Sequence, residues 1–197
     1  LVLAGEEEQI LQLLDNSYIY ELKLQNPKVK IAGYLNATLG TSAKEITLDD
    51  GIFETSELKL NGYSMTIPGN VVATGNVTVG SSTLTVTGDY MQKQGSLSID
   101  AGKVSIGGDL QVYGTNVDGE KVTGTGGVWL NSEGGSCTVN GDMILDTNSG
   151  NAFEWDRYTK GTYIIKGNVI QEKSGNGFYP MHLVLAGEEE QILQLLD

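Results

Sequence analysis

Basic side chains, cysteine, proline, histidine and long apolar runs are all scarce in this chain, and each scarcity closes off a class of protein. Twelve Lys and Arg stand against 25 Asp and Glu, a formal charge of −13 that repels a phosphate backbone and argues against nucleic acid as a partner. Leaving out one copy of a duplicated segment, with its four carboxylates, the excess is still 21 to 12; acidity of this kind is the ordinary mark of a solvated surface. The single cysteine, Cys137, allows no internal disulfide and leaves the compartment open on that count, though a chain without spare thiols suits life outside a cell. There is no run of eighteen apolar residues, so no membrane span is expected in this segment, and the first residues lack the pattern of a signal peptide. In an excerpt from a larger array that second absence says nothing about export.

Catalytic and metal-binding patterns are missing too. His182 is the only histidine, and without a G-x-S-x-G elbow it has no serine partner for a hydrolytic triad; it reads as a strand-edge residue. Neither the repeated G-G-x-G-x-D calcium pattern nor a D-x-D-x-D-G loop occurs. No catalytic residue, cofactor or metal ligand is therefore assigned, and an enzyme is not expected.

What the chain does contain is glycine, 27 residues of it, with Ser, Thr, Asn, Val, Leu and Ile, and 39% apolar residues overall. That is the composition of an ordered protein made of many short strands and tight turns. Five segments share one grammar: MTIPGNVVAT, LTVTGDYMQK, VSIGGDLQVY, CTVNGDMILD and YIIKGNVIQE. In each, an alternating apolar run leads to Gly followed by Asp or Asn, and then to a second run. Alternation marks half-buried strands. The Gly-Asx pair is the corner between them, read here through the freedom of glycine at positive φ and the capacity of Asx to bond nearby amides. With Gly first, the pair is not a two-residue hairpin turn.

The corner glycines fall at 69, 88, 108, 141 and 167, a spacing near twenty with insertions between some copies, as in the coils of a solenoid. The expected fold is all-β, a parallel β-solenoid of about nine coils with loop insertions. Its inward stacks would be Ile67, Val86, Ile106, Val139 and Ile165, with Met65, Leu84, Val104, Cys137 and Tyr163 two residues earlier. On this reading Cys137 is a buried small side chain. An antiparallel sandwich uses the same ingredients; the recurring corner and the repeat described next favour the solenoid.

Residues 1–15 and 183–197 are both LVLAGEEEQILQLLD. Identity at exposed positions has no physical requirement behind it, so the two copies mark a tandem period of 182 residues around a single solenoid unit spanning 1–197. EEEQILQLLD could form a short acidic-headed helix, but its alternating flanks favour strand. No polar cap is visible at either end, and exposed solenoid edges drive association. Identical units head to tail, as a homopolymer or a covalent array, are the expected partners. About nine coils at strand spacing would add on the order of 43 Å per unit.

LKLNGYSMTIPGNV, STLTVTGDY and SLSIDAGKVSIGGDL, followed by HLVLAGEEEQILQL leading into YELKLQNP, resemble the repeats of very large secreted and cell-surface proteins of Gram-positive bacteria. The resemblance implies a β-solenoid stalk or adhesin-like module, extracellular or at the cell surface, rather than an enzyme. The chain departs from that pattern in two longer insertions, GTNVDGEKVTGTGG and TNSGNAFEWDRYTKG.

Two sets of residues are candidates for a role. The corner row is Asn70, Asp89, Asp109, Asp142 and Asn168. At coil spacing its carboxylates would repel unless they bond turn amides, are hydrated or share a cation, and corner capping is the favoured reading. The insertion 147–161 gathers Phe153, Trp155 and Tyr158 among acidic residues. It would pack on the coil or contact a neighbouring molecule, or else bind a glycan as an adhesin loop; paired acids there would also suit a polysaccharide-degrading β-helix. The main expectation is a structural unit of an extracellular fibre or stalk.

Overall fold

A computed structural model describes residues 1–41, 45–148, 160–174 and 182–195, in which every regular element is a strand and no helix occurs. The strands wind into a parallel β-solenoid. Where the described residues follow a whole coil, it visits a first face, turns a corner to a second, bends again to a third, and returns one level higher. A three-stranded sheet (Gln9–Leu13, Val29–Gly33, Ile46–Leu48) and a six-stranded sheet (Met65–Ile67, Thr83–Val86, Lys103–Ile106, Ser136–Val139, Thr162–Ile165, His182–Leu185) supply nine levels of the first face. The expected count of about nine coils is met.

The second and third faces belong to one twelve-stranded sheet because some strands run through the bend between them. Asn70–Gly80 pairs with Tyr90–Gln92 through its first half and with Gln94–Ile99 through its second. Ile52–Lys59 makes the same passage one level below, with a register shift at Thr55 and Glu57 marking the bend. All of these pairings are parallel. Among the described residues the one antiparallel pair is a small hairpin, Gly114–Thr115 with Lys121–Val122, inside the first of the long insertions.

The alternating pattern produces the core directly, since every second side chain of a strand points inward. Register pairs Met65 with Leu84, Leu84 with Val104, Val104 with Cys137 and Cys137 with Tyr163; two residues on, it pairs Ile67, Val86, Ile106, Val139 and Ile165 in the same order. Both inward stacks anticipated from the sequence are formed, and all ten side chains are buried. Val71, Tyr90, Leu110, Met143 and Val169 line the second face, and Val77, Leu97 and Val128 the third. The duplicated segment forms strands in both places, Val2–Leu3 and Gln9–Leu13 in one copy, His182–Leu185 and Leu193–Leu195 in the other.

Candidate functional site

The five corner residues stand one above another where the first face turns into the second. Each side-chain Oδ1 accepts a hydrogen bond from the backbone N–H of the corner residue one coil on. Asp89 N–H donates to Asn70 (2.8 Å), Asp109 to Asp89 (2.8 Å), Asp142 to Asp109 (2.8 Å) and Asn168 to Asp142 (2.6 Å). The chain of bonds passes on to Ile192, whose N–H donates to Asn168 (2.8 Å). A carboxylate bonded to an amide dipole of the neighbouring level is stabilised where it would otherwise face only like charge, so Asp89, Asp109 and Asp142 need no bridging cation to stack.

The glycine before four of the five corner residues has a reason that differs from the one read in the sequence, while the fifth, Gly69, does take a positive φ, 158°. Gly88, Gly108, Gly141 and Gly167 do not adopt positive φ. A Cβ at any of the four would instead lie within 3.0 Å of the Oδ1 below it, that of Asn70, Asp89, Asp109 or Asp142. Glycine is there to let the capping oxygen reach the amide. The motif is thus one device in two residues, a vacancy and the group that fills it from the adjacent coil.

The N-terminal coils use a different device that the sequence reading missed. Asn36 is buried; its Nδ2 donates to the carbonyls of Asp15 and Ser17, and its Oδ1 accepts from Thr55 Oγ1 and the Ser56 and Glu57 amides. Asn26, also buried, donates to the Glu7 carbonyl and to Gln9 Oε1. Farther along, Gln92 is buried, accepts from the Tyr90 hydroxyl and donates to the carbonyls of Gly75 and Gln94. Partners for Asn36 lie 19 to 21 residues away in both directions. That coil spacing is the one signal by which it could have been found.

Cys137 lies in the core between Val104 and Tyr163. Burial pushes its thiol up to about 12, which keeps it protonated and unreactive as a nucleophile at neutral pH. The same desolvation raises the phenols of Tyr90 and Tyr163 well above their ordinary value. The Tyr163 hydroxyl donates to the Val128 carbonyl at 3.0 Å. His182 opens the exposed strand His182–Leu185. Among the described residues no three His, Cys, Asp or Glu side chains converge as metal ligands. A shallow groove of about 190 Å³ lies beneath the small hairpin, lined by residues including Thr74, Lys93, Thr115, Val122 and Thr125, with no carboxylate in its wall. Phe153, Trp155 and Tyr158 lie outside the described residues.

The remaining feature is the pair of tips. Large apolar side chains exposed to solvent concentrate there: Leu1, Val2, Ile10 and Leu14 at one, Val184, Leu185, Ile192, Leu193 and Leu195 at the other. The strands that carry most of them are hydrogen-bonded along a single edge. Among the described residues Gln9–Leu13 pairs only with Val29–Gly33, His182–Leu185 only with Thr162–Ile165, and Leu193–Leu195 only with Val169–Ser174. Apolar surface and unpaired backbone groups together are what a strand edge presents before it acquires a neighbour.

Compared with family models, with curated proteins and with solved structures, the chain matches none.

Proposed function

We propose that this chain is the structural repeat unit of an extracellular or cell-surface fibre or stalk, extended end to end through its solenoid edges. The observation that carries the reading is the pairing at the tips, where strands from both copies of the duplicated segment keep one free edge beside exposed apolar side chains. The resemblance to repeats of giant Gram-positive surface proteins supports the same assignment. The inner construction suits a load-bearing rod: an apolar core, corner amides capped from level to level, and a strongly acidic chain whose charge keeps rods apart sideways while their tips join.

The unit works by geometry rather than by chemistry on a substrate. Burial keeps the Cys137 thiol and the Tyr90 and Tyr163 phenols protonated. Electron microscopy of the concentrated protein tests the proposal. Unbranched rods that lengthen with concentration, or long rods from the natural polypeptide, are the expected result; compact particles at every concentration would reject it.

A further inference from the structure

The two copies of LVLAGEEEQILQLLD occupy different faces. Val2–Leu3 lies on the third face and Gln9–Leu13 on the first, whereas His182–Leu185 lies on the first and Leu193–Leu195 on the second. In each copy the second strand follows the first by one face, although it begins at Gln9 in one copy and at Leu193, the counterpart of Leu11, in the other. Their inward positions agree as well. Leu3 pairs with Leu24 as its counterpart Leu185 pairs with Ile165, and Leu11 pairs with Ile31 as Leu193 pairs with Val169.

The edges used are opposite. Among the described residues, the strands of the first copy pair with residues later in the chain, 23–24 and 29–33, and those of the second with earlier ones, 162–165 and 169–171. The glutamine of the segment divides its bonds the same way. Gln191 Nε2 donates to the Ile165 and Gly167 carbonyls and its Oε1 accepts from the Gly187 amide, while Oε1 of its counterpart Gln9 accepts from Asn26 Nδ2. An amide side chain has two donors and two acceptor sites, and the two sets of partners together fill all four. Gly187 faces the Lys166 carbonyl so closely that a Cβ would not fit, yet its counterpart Gly5 has only Asn26 Nδ2 nearby, at 3.9 Å.

We infer that the fifteen residues form one shared coil at each junction: a single copy, covalently continuous, with the preceding unit on one edge and the following unit on the other. This deepens the fibre reading and rests on it. With the coil counted once, a period spans eight turns and a third, about 40 Å at roughly 4.8 Å per turn. Each unit then begins one face later than the last, and loops of successive units point about a third of a turn apart, before any twist of the coil itself.

The test is a chain of residues 1–182 joined to residues 1–197, which carries one internal and two outer copies. By hydrogen exchange with mass spectrometry, the amides of the internal QILQL are expected to exchange at least about tenfold more slowly than those of either outer copy. Gln191→Ala in the internal copy is expected to remove much of that protection. Internal amides exchanging as fast as the outer ones would overturn the inference, as would a joined chain that fails to fold where residues 1–197 fold. Electron microscopy of the same chain separates the two readings. Two rods hinged at the junction reject the shared coil and leave the fibre standing, whereas a protected internal copy in a compact particle does the reverse.

Discussion

Residues 9–60 and residues 65–169 build the same parallel coil with different polar groups at its bends. In the later block the corner residues are half-buried or exposed, and what they give the adjacent level is an oxygen. Asp and Asn serve equally there. In the earlier block Asn36 is buried and uses both ends of its amide, donating to one level and accepting from the next. Parallel stacking leaves amides at each bend outside the regular ladders, and these must find acceptors. Where solvent reaches the acceptor a carboxylate will do; inside, where carbonyls must also be satisfied, an amide is needed.

Substitutions break this comparison in a graded way. The largest effect is expected from Gly141→Ala, whose Cβ meets both the Asp109 oxygen and the Gly108 carbonyl; a loss of about 3 kcal/mol or more in urea unfolding follows from overpacking against backbone. Asn36→Asp comes next. It keeps the acceptor but turns a carboxylate toward the carbonyls of Asp15 and Ser17, at a cost of about 2–3 kcal/mol. Asp109→Ala leaves the Asp142 amide without its cap and loses about 1–2 kcal/mol. Asp109→Asn retains the oxygen and is expected to change stability by less than about 0.5 kcal/mol. If Asn36→Asp proves as harmless as Asp109→Asn, the distinction between inner and outer bends fails.

Alkaline pH sharpens the same contrast, because the fully buried acidic groups Cys137, Tyr90 and Tyr163 all belong to the later block. The thiol rises from an ordinary 9.0 to about 12 on burial. Below pH 9 both folded and unfolded chains hold that proton and stability is unaffected. Between 9 and 12 only the folded chain holds it, so stability falls as pH rises, by roughly 1.4 kcal/mol per pH unit for one group. Cys137→Val should flatten the decline measured between pH 9 and 11 by about that slope, and residues 65–169 should lose exchange protection before residues 9–60.

The later block was legible in the sequence because its corner leaves a two-letter trace. Glycine is forced by the oxygen it faces, the oxygen needs Asp or Asn, and alternation on either side sets the inward stacks, so Met65 to Tyr163 could be aligned by eye. The trace identified the place but not its cause: positive φ was the nearer explanation, and the close approach appears only when coils are stacked. Asn26 and Asn36 leave no such trace, since an inner bend needs no glycine and most of their partners are backbone atoms, which carry no sequence signal. The duplicated segment was legible as duplication. Its opposite edges were not, because pairing is a property of neighbours and identical letters give no hint of which neighbour each copy has.

Fibre diffraction from aligned material tests the axial arrangement most directly. A solenoid continuous through its junctions places the strand-spacing reflection, near 4.8 Å, along the fibre axis, together with an axial repeat of about 40 Å from the eight and a third turns per unit. A strand reflection perpendicular to the axis, or no long axial repeat at all, would contradict it.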